Sequence, residues 1–328
     1  MSYTNGLDDP SKYTQTALYT GNGSTQSITN DGNSNLQPDW VWINDRNYDS
    51  SKSLFDSVRG TSKRLKSDTN EAEVTASGVT SFDTDGFTLG SHGAANANTT
   101  TYVAWQWKKS ATAGFDIVTY TGNQTARTIS HNLGAVPKMM IVKNRGTTGN
   151  WGVYHVGLGT ANKRLELDSF AAADTGTSVW NDTDPTSSVF SVGNNDRITN
   201  GNGMTYVAYL FAEKKGYSKF GSYTGNGNVD GNFNYLGFRP SLIILKGNNT
   251  ENWSMYDNKR LGYNVDNNVL YPNTNSTEGT SDDIDLLSNG FKIRRQTGLL
   301  NDSGVLYIYM AFAESPFVTS SAIPTTSR

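Results

Sequence analysis

The stretch TYVAWQWKKS beginning at Thr101 returns as TYVAYLFAEKK from Thr205 and as LYIYMAFAES from Leu306. No other feature constrains the fold as strongly, because self-similarity at a fixed period means that one structural unit is written several times. Four further markers keep the same order and a period of roughly 100 residues. Each copy opens on YTGN, at Tyr19, Tyr120 and Tyr223. A proline and an apolar run follow: QPDWVWIN around Pro38, VPKMMIVK around Pro137 and RPSLIILK around Pro240. A shorter marker carries Phe55, Tyr154 and Tyr256, and a polar turn then leads to Phe87, Phe190 and Phe291. The reading is three units, 13–110, 111–215 and 216–317, with an N-terminal segment 1–12 and a C-terminal tail 318–328. The joints KKSATAG and EKKGYS are short and polar. With no low-complexity linker between them, the units are expected to pack on one another.

Inside YVAWQW, Val103, Trp105 and Trp107 share one face of a strand, and Tyr102, Ala104 and Gln106 share the other. The later copies put Val207, Tyr209 and Phe211, then Ile308, Met310 and Phe312, on the matching large apolar face. The runs Trp40–Ile43, Met139–Val142 and Leu242–Leu245 are apolar on both faces and of strand length, which predicts a central strand. The proline before each run stands where a missing N–H disturbs no ladder. Gly and Asn in the TGNG, TDG and SNG turns tolerate the positive φ of tight hairpins. The fold class expected is all-β: three tandem β-sandwich, jelly-roll-like units. Trp42 and Trp105 are expected inside the first unit.

Composition bounds the function. The chain has 328 residues, of which 35% are hydrophobic and 17% charged, with a net charge of −3. No run of Lys or Arg is long enough to grip a phosphate backbone, so nucleic acid is not an expected partner. The absence of Cys excludes disulfides and thiolate metal sites. MSYTNGLDDPSKYTQ has neither the basic nor the apolar region of a signal peptide. No apolar run approaches the length of a membrane span. The expectation is a chain made in a cytoplasm and not inserted in a membrane.

Motifs for chemistry are sparse. His92, His131 and His155 form no metal-binding spacing. FDTDGF, with Asp83 and Asp85, starts like a calcium loop but lacks the later ligands, and reads as a polar hairpin turn. Asp282, Asp283 and Asp285 cluster in SDDIDL, but glycoside hydrolysis needs two carboxyl groups at a set separation that spacing alone does not supply. No nucleophile elbow, phosphate loop or dinucleotide fingerprint is present. No catalytic, cofactor or metal residue is therefore assigned. Binding is better supported: aromatic rings in Asn-rich polar stretches can stack on sugars while amides bond the hydroxyls. Tyr48 in DRNYDSS, Trp180 in TSVWNDTD and Tyr235 in NFNYLG are the binding candidates.

LDDPSKYTQTALYTGNGSTQSI, LQPDWVWI, SLFDSVRG, TSFDTDGFTLG and TYVAWQWK resemble a repeat found in tail-fibre-like and virion structural proteins of marine cyanobacterial and related tailed phages. The likeness is ordered across residues 7–109; the later units keep only its skeleton. The resemblance implies a non-enzymatic role on the virion surface, as a tail-appendage, fibre-associated or receptor-binding component, assembled in the bacterial host. A capsid decoration protein and a carbohydrate-degrading appendage enzyme are the alternatives. The partners implied are other virion proteins and a host surface glycan or receptor, with self-association left open. The loops NDRNYDSSK, NRGTTGN and GNNTEN differ between copies, which predicts that the units contact different things outside the chain.

Overall fold

The period-2 alternation of the repeated aromatic stretch is realised as three large antiparallel sheets with one strand order. The computed structural model describes residues 6–195, 197–260, 264 and 267–316. The expected tail 318–328 and the first five residues of the N-terminal segment lie outside the described residues. The first sheet runs Thr14–Thr20, Thr101–Trp107, Trp40–Asp45, Ser53–Asp56. The second runs Phe115–Thr121, Thr205–Phe211, Met139–Asn144, Gly152–His155, and continues into Lys163–Glu166 and Asp174–Thr175. The third runs Ser218–Thr224, Leu306–Pro316, Phe238–Gly247, Ser254–Asp257. The repeated aromatic strand is thus interior in every sheet. Its cross-strand partners correspond: Trp42 faces Trp105, Ile141 faces Tyr209 and Ile244 faces Met310.

A smaller sheet covers one face of each large sheet. It is built from Gln26–Ile28, Gly86–Leu89 and Val79–Asp83 in the first case, and from Arg127–Ser130 with Val189–Val192 in the second. In the third it is Phe233–Tyr235, Gly290–Ile293 and Ile284–Leu287. Tyr102 and Ala104 join Phe87 and Leu89 in one such two-layer core, and Tyr206 and Ala208 join Phe190 in the next. Tyr307, Tyr309 and Ala311 join Phe291 in the last.

The opposite faces of the three large sheets meet one another. Trp40, Trp42, Trp105, Trp107, Met139, Ile141, Tyr209, Phe211, Leu242, Ile244, Met310 and Phe312 form one buried cluster. This corrects the placement of Trp42 and Trp105. Both are buried, but in the core between units and not inside the first sandwich. The alternation was read correctly; the reason for the difference is that a strand apolar on both faces needs two covers, and one of them is supplied by the neighbouring sheets. Pro240 is a second correction. Pro38 and Pro137 precede their strands, whereas Pro240 lies within Phe238–Gly247, where the register shifts on both sides of it and a bulge absorbs the missing donor.

The contacts between units run in one rotational sense and close a ring. Trp151 Nε1–H donates to the carbonyls of Lys66 (2.9 Å) and Thr69 (3.2 Å), Trp253 Nε1–H to Glu166 (2.9 Å), and Lys52 Nζ to Ser276 (3.1 Å). Lys52, Trp151 and Trp253 hold the same place before the Ser53, Gly152 and Ser254 strands, so each unit grips the preceding one from the same point. Such head-to-tail contacts, repeated until they close, leave no free end.

Candidate functional site

The inter-unit seams hold most of the buried charge. Asp56, fully buried, is ion-paired with Arg59, and Arg59 also reaches Glu73 at 2.9 Å. The Tyr209 hydroxyl of the second unit donates to Asp56 Oδ2 at 2.7 Å, and Arg145 clasps Glu73 through two bonds of 2.9 and 3.0 Å. The seam between the third and first units repeats the pattern. Arg260 pairs with Asp257 (2.7 Å) and Glu278 (3.0 Å), Trp105 Nε1–H donates to Asp257 Oδ2 (3.0 Å), and Arg46 clasps Glu278. The motif D-x-x-R, Asp56 with Arg59 and Asp257 with Arg260, was the legible signal, and spacing alone did not connect it to a seam. Every carboxylate here is held by an arginine, so the cluster fastens units together and offers no free base.

The second unit solves the same position without an ion pair. His155 and Leu158 stand where the others have Asp and Arg. His155 is buried; its Nδ1 accepts the Gly157 N–H (2.9 Å) and its Nε2–H donates to the Tyr309 carbonyl (3.0 Å). Burial pushes the imidazole down to about 4. Protonation would set a second N–H against the Gly157 N–H. Free histidine titrates near 6.5, so the unfolded chain takes up this proton first as pH falls. His155 therefore withdraws about 3 kcal/mol of stability between pH 6.5 and 4. Asp168, which burial raises to about 6, acts in the opposite sense over part of that range. Comparing unfolding free energies of the native chain and His155→Gln isolates the histidine. The difference is expected to vary from pH 6.5 to 4 and to be flat above 7; parallel curves throughout would refute it.

One end of the shared core carries equivalent polar residues, Asn44, Lys143 and Lys246, all fully buried. Lys143 Nζ caps the carbonyls of Asn70, Asn144 and Gly149, and Lys246 Nζ those of Gly247 and Asn249. Burial lowers both ammonium groups to about 8. Their protons serve backbone carbonyls, so they are structural cations.

The loops expected to reach outside the chain belong largely to these seams. In NDRNYDSSK, Asn44, Asp45 and Lys52 are buried, Arg46 binds Glu278, and Asp49 Oδ1 accepts the Thr277 N–H. In NRGTTGN the Arg145 carbonyl accepts the Glu73 N–H and the Gly149 N–H donates to Asn70. In GNNTEN, Asn248 Oδ1 accepts the Ala173 N–H.

The three binding candidates are not brought together. Tyr48 is 55% exposed in the loop after Trp40–Asp45. Tyr235 is 56% exposed on the outer sheet of the third unit, with Lys219 Nζ 5.3 Å from its ring centroid. Trp180 is a correction: it is fully buried, edge-on to Tyr154 at 6.2 Å. TSVW forms a helical turn, Thr177–Trp180, that carries the ring under the sheet, and Asn181 and Asp182 at positive φ lead the chain out again. Its polar sequence neighbours serve the turn, not a ligand. Sequence reading missed Phe233, two residues before Tyr235 and on the same strand face; that i, i+2 spacing was its signal.

The remaining motifs read as structure. Asp83 accepts from the Ser81 and Thr88 hydroxyls and Asp85 from the Leu36 N–H, so FDTDGF is a hairpin turn. Asp283 accepts from the Tyr256 hydroxyl at 2.6 Å, and Asp285 pairs with Arg294 at 3.4 Å. His92 caps a helical turn and His131 lies 3.2 Å from the Thr186 carbonyl. Among the described residues, no group of three or more His, Asp or Glu could hold a metal ion, and no helix is long and apolar enough to cross a membrane. Two polar clefts are lined by described residues. One of about 220 Å³ between the first and third units includes Gln15, Asp31, Lys259 and Glu314. The other, about 290 Å³, includes Asn70, Asn150, Arg164, Glu166 and Arg197. Asp31 is bound to Lys259 (2.8 Å) and Glu314 to Arg239 (2.9 Å), so the carboxylates of the first cleft are already neutralised.

One family match runs without a break over residues 9–316, across all three sheets. The chain belongs to the family described as Domain of unknown function (DUF7483). Comparison with curated proteins and with solved structures returned no match. The family description assigns no activity, and the single match treats the ring of units as one module.

Proposed function

We propose that this DUF7483 protein is a non-enzymatic structural component on the surface of a tailed-phage virion, placed on a tail appendage as a fibre-associated or receptor-binding part. The observation that carries the reading is the ordered likeness of residues 7–109 to the repeat of such proteins. The seam chemistry supports it. Buried ion pairs and inter-unit contacts that close a ring make a rigid body, and the seam carboxylates Asp56, Glu73, Asp257 and Glu278 are each bound to an arginine. A glycosidase needs one carboxyl group held protonated near neutral pH beside a second one, and in the first cleft Asp31 and Glu314 are both ion-paired.

The test is immunogold labelling of intact particles produced by the phage that carries this gene, with an antibody against the folded chain. Label at the tail is the expected result. Label spread over the capsid faces would replace the reading with a decoration protein, and particles without label would overturn it. Release of reducing ends from host surface polysaccharide by the purified protein would overturn the non-enzymatic part.

A further inference from the structure

The outer sheet of the third unit departs from its two counterparts in its outward side chains. Phe233–Tyr235 is an edge strand, paired on one side only, with Gly290–Ile293. Phe233 and Tyr235 alternate with the buried Asn234, so both rings stand on the outer face, 46% and 56% exposed. Residues i and i+2 of a strand are about 6.6 Å apart. The corresponding outward positions are Ser27 and Thr29 in the first unit and Thr128 and Ser130 in the second, as the shared pairing against Phe87, Phe190 and Phe291 defines. Two copies of the same sheet carry small hydroxyl residues there, so the fold does not require aromatic rings.

The rings are shelved. A Cβ at Gly290 would come within 3.1 Å of Phe233 Cε2, and one at Gly237 within 3.4–3.8 Å of the outer atoms of the Tyr235 ring. Gly290 is required first by the Asn234 carbonyl oxygen, which a Cβ there would strike, and Lys219 Nζ lies over the Tyr235 ring, 5.3 Å from its centroid. The border is polar. Lys219 Nζ is bonded to the Tyr235 carbonyl at 2.7 Å, and no carboxylate among the described residues lies within ion-pair distance of it. Lys292, across from Phe233, is paired with Asp230. Asn232 carries a buried Oδ1 without a partner. Of the other exposed apolar side chains, Leu18, Val58 and Val136 lie on other units, and Val229, 68% exposed, lies in the loop just before this strand.

We propose that this face is a binding platform for an acidic polysaccharide: Phe233 and Tyr235 stack against successive sugar rings, and Lys219 meets a carboxylate or sulfate. Pyranose faces are apolar and flat, and their C–H groups suit the negative face of an aromatic ring. The unneutralised lysine selects an anionic chain over a neutral one. A protein partner is less well served, since a stable interface covers about 800 Å² per side around an apolar centre, and here two rings are bordered by Lys, Asn and Asp. The inference rests on the geometry of this sheet and does not depend on where the protein is displayed.

The test is affinity electrophoresis and calorimetry of the full chain with polygalacturonate, a sulfated galactan and neutral dextran. The native protein is expected to bind the two polyanions and not dextran. Phe233→Ala with Tyr235→Ala should weaken binding by at least about tenfold, and Lys219→Gln by a few-fold, with unchanged melting temperatures. Phe233→Thr with Tyr235→Ser, which copies the second unit's hydroxyl residues, gives a second variant whose fold the chain already tolerates. Equal binding by the native chain and both ring variants would overturn the platform. So would binding of dextran as tight as the polyanions, or no binding at all. Concentration-dependent self-association abolished by the ring variants would overturn it in favour of a contact between copies of the chain.

Discussion

Replacing Trp40 by alanine is expected to cost about 3–5 kcal/mol, and to destabilise the whole ring as one body. Trp40 is fully buried where the first and second units meet. Its ring lies 4.6 Å from that of Trp107 and 5.5 Å from that of Trp42 within its own sheet. Across the seam it stacks on Tyr209 at 4.5 Å and Phe115 at 5.7 Å. Truncation removes apolar area and leaves a cavity walled by two sheets, neither of which can collapse without moving the other. Denaturant unfolding followed by tryptophan fluorescence and by far-ultraviolet dichroism should give coincident single transitions for both proteins, with the variant shifted to lower denaturant. Two separated transitions would mean that the first unit unfolds by itself and that the shared core is not what joins the units. A wild-type midpoint would sink the burial assignment. Tyr48→Ala, at an exposed loop position, should leave the midpoint within about 0.5 kcal/mol of the native value.

Arg59→Met should be comparably severe, at about 3–5 kcal/mol, for a different reason. Asp56 would be left buried without its cation, with only the Tyr209 hydroxyl and the backbone N–H of residue 59 as donors. Glu73 would keep Arg145 but lose its other cation. Taking a carboxylate from water is costly, and it is the arginine that makes burial tolerable here. Replacing both members, Asp56→Leu with Arg59→Met, should recover much of the loss, because no charge is then stranded. A double-mutant cycle reads this as a coupling of a few kcal/mol. Additive single effects would show that the pair does not hold the seam. The second unit is the natural counterpart: His155 and Leu158 occupy these positions, and its seam is closed by a neutral hydrogen bond to Tyr309.

The sequence by itself determined the strands and their rank. A period of two in YVAWQW, apolar residues on both faces of WVWI, MMIV and LIIL, and glycine-bearing turns between them require sheets whose interior strands are these. Their order within each large sheet came from the tertiary structure. Strand periodicity reports that a face is covered without naming the cover. For that reason Trp105, Tyr209 and Met310 were legible as core residues, while the core they share across three units was not. The same limit applies to polar residues. Arg46, Lys52 and Asp49 look like a solvated loop because their partners, Glu278, Ser276 and Thr277, lie more than 200 residues away. Trp180 looked exposed because its neighbours are polar, but a helical turn decides where a ring points, and that turn is set by packing beneath the sheet. Tyr235 was legible as an outward aromatic residue. Only the tertiary structure decided that Phe233 stands beside it, that Gly290 and Gly237 lie close against the two rings, and that Lys219, from another strand, stands near the Tyr235 ring. Local sequence specifies direction along a strand; which surfaces come to face each other depends on closing loops far longer than any local interaction can reach.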